Sequence, residues 1–164
     1  MSCWPWGCDE AVLVSAREFG GSDTYATSQI LAAAIKKVGV DEDDIVFCGR
    51  QAIDGDTAQV SGALAKWLDI VHLNWVTEIH TDGSSDLKVT YLMEGRDIEA
   101  RTKLPCLLSV EKDSFIPRMP SLKLKISGRK KEIHHLALAD FADQDTSHYG
   151  LNGSATRVNA DFPA

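Results

Sequence analysis

The residues best suited to chemistry lie in one stretch, residues 50–61, between an apolar run and an amphipathic run. Gly55 lets a ligand approach the backbone closely, and Thr57 and Ser61 offer hydroxyl groups. The N–H groups that open a helix are unpaired and attract phosphate. The pattern is consistent with a cradle for nucleotide phosphate, in which Asp56 or Thr57 caps the helix.

A polar strand-to-helix turn explains the same residues equally well. Asp54 and Asp56 would repel a phosphate unless their carboxylates point away or cap the helix. The stretch contains neither a Walker loop nor a G-x-G-x-x-G fingerprint. Residue chemistry alone leaves both interpretations open.

The surrounding pattern predicts strand, helix, strand, helix. Residues 11–15 and 44–49 are apolar runs typical of buried parallel strands. Between them we expect a helix that Ser22 caps and Gly39 ends, and a second helix follows from Val60. Right-handed crossovers would give a Rossmann-like, three-layer α/β/α parallel sheet, whose ligands bind beyond the carboxyl ends of the strands.

After Asp69 the pattern changes to strands joined by tight turns. Turns at Asp82-Gly83 and Glu94-Gly95 predict an antiparallel hairpin excursion. The predicted strands are residues 73–80, 87–93, 97–104, 105–110 and 132–139. The predicted fold class is therefore α/β, a parallel sheet with an antiparallel addition.

Composition excludes several classes of protein. The chain has 164 residues, 44% of them hydrophobic, and a net charge of −7. This acidity disfavours nucleic-acid binding, and no apolar run reaches the roughly 18 residues of a membrane span. No nucleophile motif or metal-ligand spacing occurs. We interpret the cysteines as reduced thiols of a cytoplasmic protein: Cys3, Cys8, Cys48 and Cys106.

Residues 111–132 form a basic segment within this acidic chain. Seven cationic and three acidic side chains give it a net charge of +4. A solvated surface would account for the charges, but Leu122, Leu124 and Ile126 interleave with lysines. An apolar anchor ringed by cations suits docking to an acidic protein surface. RNA is disfavoured because Phe115 is the one aromatic residue available for stacking.

Residues 48–60, CGRQAIDGDTAQV, resemble the nucleotide-binding signature of the electron transfer flavoprotein beta subunit family, which includes the FixA proteins. Residues 9–15, 21–27 and 103–105 also resemble family segments, as do Pro117-Arg118, residues 120–122 and residues 153–158. Ala155 stands where the family has proline, and Phe115-Ile116 where it has Asn-Glu. The resemblance implies the fold of adenine-nucleotide hydrolase-like proteins.

The resemblance implies that residues 50–61 hold AMP or a second FAD, while the redox FAD lies mainly in the alpha subunit. The Gly55-Asp56-Thr57 version is similar to that of electron-bifurcating members. Because the flavin carries the chemistry, the chain needs no catalytic residues of its own. The implied nucleotide-binding residues are Arg50, Gln51, Ala52, Ile53, Asp54, Gly55, Asp56, Thr57, Ala58, Gln59, Val60 and Ser61.

The implied partners are the alpha subunit and an acyl-CoA dehydrogenase or similar flavin dehydrogenase. Leu122 matches the family's anchoring leucine, which inserts into a pocket on the dehydrogenase. The residues predicted to bind partners are Pro117, Arg118, Leu122, Lys123, Lys125, Arg129 and Lys130.

Compared with the family, the chain is predicted to be a beta-subunit core that lacks the first strands and the C-terminal arm. Residues 9–164 would form one partial domain, preceded by a non-family leader of residues 1–8. Missing strands would expose sheet edges, so we expect weak nucleotide binding and marginal stability of the lone chain. The alternatives are a nucleotide-binding homodimer of the universal-stress type, which would bind ATP, and a non-functional fragment.

Overall fold

The computed structural model describes residues 6–53, 55–81, 83 and 86–157, which form seven strands, four α-helices and three short 3-10 helices. The strands are β1 Val12–Val14, β2 Ile45–Gly49, β3 Val71–Thr81, β4 Asp86–Met93, β5 Arg96–Lys103, β6 Cys106–Val110 and β7 His134–Leu136. The helices are α1 Thr24–Val38, α2 Val60–Leu68, α3 Leu122–Gly128 and α4 Gly150–Gly153. None of these helices is long and apolar enough to cross a membrane.

The main sheet has five strands in the order β2-β6-β3-β4-β5. Strand β6 lies parallel to β2 on one side and to the first half of β3 on the other, whereas β4 runs antiparallel to β3 and β5. The β4–β5 turn is Glu94-Gly95, and both residues have positive φ, as a two-residue type I′ turn requires. The α/β class and the antiparallel hairpin are confirmed.

Strand β1 departs from the expected arrangement. It pairs in parallel with β7, from Val12 opposite His134 to Val14 opposite Leu136, as a separate two-stranded sheet. Helix α1 packs against both sheets, because Ile30 and Ala34 belong to the core beside β1 and β7, whereas Ala32 belongs to the core beside β2 and β6. The expectation that strands 11–15 and 44–49 share one sheet is therefore wrong for the described residues.

The two helix starts also differ from the expected caps. Asp23, not Ser22, caps α1, because its carboxylate accepts the Ala26 N–H at 2.9 Å, whereas the Ser22 hydroxyl donates to the Phe19 carbonyl. Helix α2 begins at Val60, without a side-chain cap. Neither Asp56 nor Thr57 caps it. Ala58 has a φ of 52°, so the backbone is not right-handed there and the helix cannot begin before it.

The basic segment and the strand after it were predicted only in part. Residues 122–128 form the short helix α3, where Ser121 accepts the Leu124 N–H at 3.2 Å. The last strand, expected over residues 132–139, is limited to His134–Leu136. A tight turn follows, in which Asp140 accepts the Ala137 N–H at 2.8 Å and so ends the strand.

Residues 149–156, which we call the C-terminal strap, run across the start of α1. Gly150 has a φ of 59°, and a Cβ there would collide with the carbonyl oxygen of Glu18. The Leu151 N–H donates to the Gly20 carbonyl at 3.1 Å. Tyr149 is buried against Phe141 and Phe19, which anchors the strap to the core. The strap thereby reaches the region where α1 and α2 begin.

Candidate functional site

A cleft of about 820 Å³ lies where strand β2 ends and helices α1 and α2 begin. This is the carboxyl edge of a parallel strand, where α/β proteins bind their ligands. The residues that line it are Ser22, Asp23, Thr24, Thr27, Cys48, Gly49, Arg50, Gln51, Ala52, Gly55, Thr57, Ala58, Gln59, Val60, Ser61 and Thr156. We call this space the β2–α2 cleft.

The start of α2 offers this cleft an unused polar group. Ser61 is 5% exposed, and its hydroxyl has no hydrogen-bond partner among the described residues. A buried hydroxyl without a partner is costly, so the site favours a ligand that supplies one. The helix has nine residues, and the amides of its first turn lack partners within the helix. Together these groups suit an anionic oxygen, such as that of a phosphate.

Arg50 is the one cationic side chain among the described residues that line the cleft. Its Nη1 donates to both carboxylate oxygens of Glu111, at 2.9 and 2.8 Å, and its guanidinium lies 5.1 Å from the centre of the Trp75 ring. Burial raises the pKa of Glu111, but hydrogen bonds from Arg50 and the Lys112 amide outweigh burial and lower it overall. Glu111 is therefore ionised at neutral pH, and the Arg50 guanidinium is held in place.

Asp23 lies on the wall of the cleft opposite Arg50, and hydrogen bonds join it to the C-terminal strap. Its Oδ2 accepts the Thr156 amide at 2.9 Å and the Thr156 hydroxyl at 3.0 Å, while its Oδ1 caps α1. The Ser154 hydroxyl accepts the Asp23 N–H at 2.9 Å. Burial raises the pKa of Asp23, but these donors lower it overall. Because donors surround this carboxylate, it opposes an anionic ligand less than a bare carboxylate would.

Three other titratable groups near α2 and β6, two of them half-buried and one buried, contribute no charge. Burial raises the pKa of the Cys48 and Cys106 thiols and lowers the pKa of His72. All three are neutral at pH 7, so the charge of the cleft comes from Arg50 and Asp23 among its described lining residues. The described residues contain no cluster of side chains that could hold a metal ion.

The structure brings most of the predicted nucleotide-binding residues together. Arg50, Gln51, Ala52, Gly55, Thr57, Ala58, Gln59, Val60 and Ser61 all line the cleft. Ile53 is fully exposed and lies outside the lining, and Asp54 lies outside the described residues. Asp56 is also outside the lining, and its carboxylate accepts a hydrogen bond from the Gln51 side chain. The repulsion expected from Asp56 is therefore reduced.

One wall of the cleft lies outside the predicted segment 50–61. It is formed by Asp23, Thr24, Thr27 and Thr156. The signal was present in the family-like segments 21–27 and 153–158, because Ser154 and Thr156 of the second segment bond to Asp23 of the first. The Thr24 hydroxyl donates to the Gln59 side chain at 3.3 Å, which connects the starts of α1 and α2 across the cleft.

The basic segment presents a second surface, centred on α3. Leu122 is 73% exposed and Ile126 is 52% exposed, whereas Leu124 is half-buried. An open apolar depression here is lined by Leu122, Lys123, Ile126, Ser127 and Lys130. All the predicted partner-binding residues are exposed, namely Pro117, Arg118, Leu122, Lys123, Lys125, Arg129 and Lys130. An apolar patch surrounded by cations is what a docking surface for an acidic partner needs.

Comparison with known proteins matches residues 5–141 to the electron transfer flavoprotein domain. The electron transfer flavoprotein subunit beta of Thermoanaerobacterium thermosaccharolyticum is 42% identical over 154 residues, which cover 94% of this chain and 58% of the relative. The acryloyl-CoA reductase electron transfer subunit gamma of Anaerotignum propionicum is 41% identical, with 95% and 60% covered. Protein FixA of Sinorhizobium fredii is 38% identical, with 96% and 56% covered. The chain thus spans little more than half the length of these relatives.

The contact between Asp23 and the strap predicts a pH-dependent contribution to stability. Asp23→Asn keeps an oxygen for the α1 cap but cannot accept both Thr156 bonds, so we expect a loss of about 1–2 kcal/mol at pH 7. Because the folded pKa is lowered, the wild-type advantage is complete above the ordinary value of 3.8 and shrinks as the pH falls below it. Urea unfolding at pH 7 and pH 3 measures the difference.

Asp43→Asn, at an exposed turn position, is the matched control and should change stability little at either pH. If the Asp23→Asn variant and the wild type differed by the same amount at both pH values, the assignment of this carboxylate would be wrong.

Proposed function

The chain belongs to the electron transfer flavoprotein domain family, and on this premise we propose that it is a beta-subunit-like component of a heterodimeric electron carrier. In this proposal the β2–α2 cleft binds an adenine nucleotide, AMP or FAD. The observation that carries it is the buried Ser61 hydroxyl at the start of α2, which has no hydrogen-bond partner among the described residues and lies in a cleft that also holds Arg50.

The lining residues suit the phosphate-bearing part of such a ligand. The amides of Val60 and Ser61, the hydroxyls of Thr57 and Ser61, and the Arg50 guanidinium would contact phosphate oxygens. When FAD is bound, its flavin supplies the capacity to accept and release electrons. The part of this chain is to bind and orient the nucleotide, which is a carrier role and not an enzymatic one.

The same proposal gives the α3 surface a docking role. The alpha subunit would share the redox FAD, and an acyl-CoA dehydrogenase or similar flavin dehydrogenase would dock on Leu122 and its surrounding cations. In this proposal the carrier works in the cytoplasm, where thiols such as those of Cys48 and Cys106 stay reduced.

Removal of the Ser61 hydroxyl tests the nucleotide site. Ser61→Ala should weaken AMP binding about 3- to 10-fold, the effect of losing one hydrogen bond. Isothermal titration of the chain co-expressed with an alpha subunit measures this, and the purified complex should be yellow. Ser127→Ala, on α3, is the control and should bind AMP like the wild type.

Three results would contradict the proposal. One is equal AMP binding by wild type and Ser61→Ala. Another is a colourless chain that never co-purifies with the alpha subunit. The third is a lone homodimer that binds ATP, which would support the universal-stress alternative.

Truncation of the exposed leucine tests the docking surface. Central apolar side chains contribute most of the binding free energy at docking surfaces. Leu122→Ala should therefore raise the apparent KM of an acyl-CoA dehydrogenase for the assembled complex about 10-fold. Steady-state reduction of the complex by the dehydrogenase gives this value. Val38→Ala, at the exposed end of α1, controls for the loss of surface apolar area. Unchanged kinetics of Leu122→Ala would refute the docking role.

A further inference from the structure

Two residues outside the lining of the β2–α2 cleft determine where its cation lies. We infer that Glu111 is a positioning residue for the nucleotide, because it holds the Arg50 guanidinium against Trp75 at the edge of the cleft. This inference rests on the proposed function and adds two residues to its site. Neither of them belongs to the segment 50–61 predicted from the sequence.

The contact uses only part of the Arg50 side chain. A guanidinium has five N–H donors, and among the described residues only Nη1 of Arg50 has a hydrogen-bond acceptor, the Glu111 carboxylate. The donors on Nε and Nη2 remain for a ligand. The Glu111 side chain is 15% exposed and that of Arg50 is 43% exposed, so the pair is anchored on the Glu111 side and open on the Arg50 side.

Trp75 supplies the second support for the guanidinium. Its backbone φ of 54° is rare for a bulky residue. Trp75 lies where β3 changes its pairing partner from β6 to β4. The Trp75 N–H donates to the Ser109 hydroxyl at 3.1 Å, and Ser109 donates to Asn74 at 3.3 Å. Ser109 is buried, so this backbone conformation is fixed from the core. Strained backbone held in this way is typical of functional positions.

Glu111 is itself fixed before any ligand arrives. Its N–H donates to the Val76 carbonyl at 3.0 Å, and its Oε1 accepts the Lys112 N–H at 2.9 Å. Arg50 is thus ordered by groups from β3 and from the end of β6. A side chain that is already ordered loses less conformational entropy when it contacts a phosphate, so the ligand binds more tightly.

The test distinguishes an effect on phosphate binding from an effect on nucleoside binding. We expect Glu111→Gln to weaken AMP binding about 3- to 10-fold, the range for one immobilised long side chain, and to leave adenosine binding unchanged. In an Arg50→Ala background the same change should have no further effect on AMP. Glu99→Gln, which removes the carboxylate of the exposed Lys88–Glu99 pair, is the control and should bind AMP like the wild type. Isothermal titration of AMP and of adenosine into the chain co-expressed with an alpha subunit gives both affinities.

Each other result overturns the inference. Tighter AMP binding by Glu111→Gln would mean that Glu111 competes with the phosphate, and an equal loss for adenosine would mean a general structural role. If the wild type binds AMP and Glu111→Gln binds it equally well, only this inference fails; if the wild type binds no AMP, the proposed function fails with it. Should Glu111→Gln not fold, Trp75→Leu must show the same selective loss for AMP.

Discussion

The packing of helix α2 against its neighbours is the constraint on which the candidate site depends. Leu64 and Ala65 of α2 are almost completely buried, in one core cluster with Ala32 of α1 and Leu107 of β6. This contact fixes the first turn of α2 at the carboxyl edge of β2, with Ser61 buried beneath it. If α2 shifted, the amides, the Ser61 hydroxyl and the Thr24–Gln59 hydrogen bond would no longer face one cleft.

Charge is distributed in a way that matches this site. The chain has a net charge of −7, yet described carboxylates beside the cleft already accept hydrogen bonds: Asp23 from the strap and Glu111 from Arg50. The positive charge of the chain is instead concentrated in residues 111–132. In the proposed function the cleft and the α3 surface would therefore bind in different ways. The cleft would use oriented amides and one cation, whereas the α3 surface would use many exposed cations and an apolar anchor.

Local patterns predicted the elements and the family but not the contacts between distant segments. The apolar run 44–49, the Glu94-Gly95 turn and the signature 48–60 are short-range signals, and the strand, the hairpin and the family membership are confirmed. The positive φ of Ala58, which delays α2, has no sequence signal because alanine rarely adopts it. The contacts of Asp23 with Thr156 and of Arg50 with Glu111 join residues 133 and 61 positions apart, a separation that periodicity does not report.

The first turn of α2 is the proposed binding site for the phosphate of an adenine nucleotide. The most direct test is nuclear magnetic resonance of the ¹⁵N-labelled chain, in its complex with the alpha subunit, during titration with AMP and, separately, with adenosine. If the phosphate lies on this turn, the amide signals of Val60, Ser61 and Gly62 shift with AMP and much less with adenosine. Shifts confined to other surfaces, or equal shifts of these amides with both ligands, would contradict it.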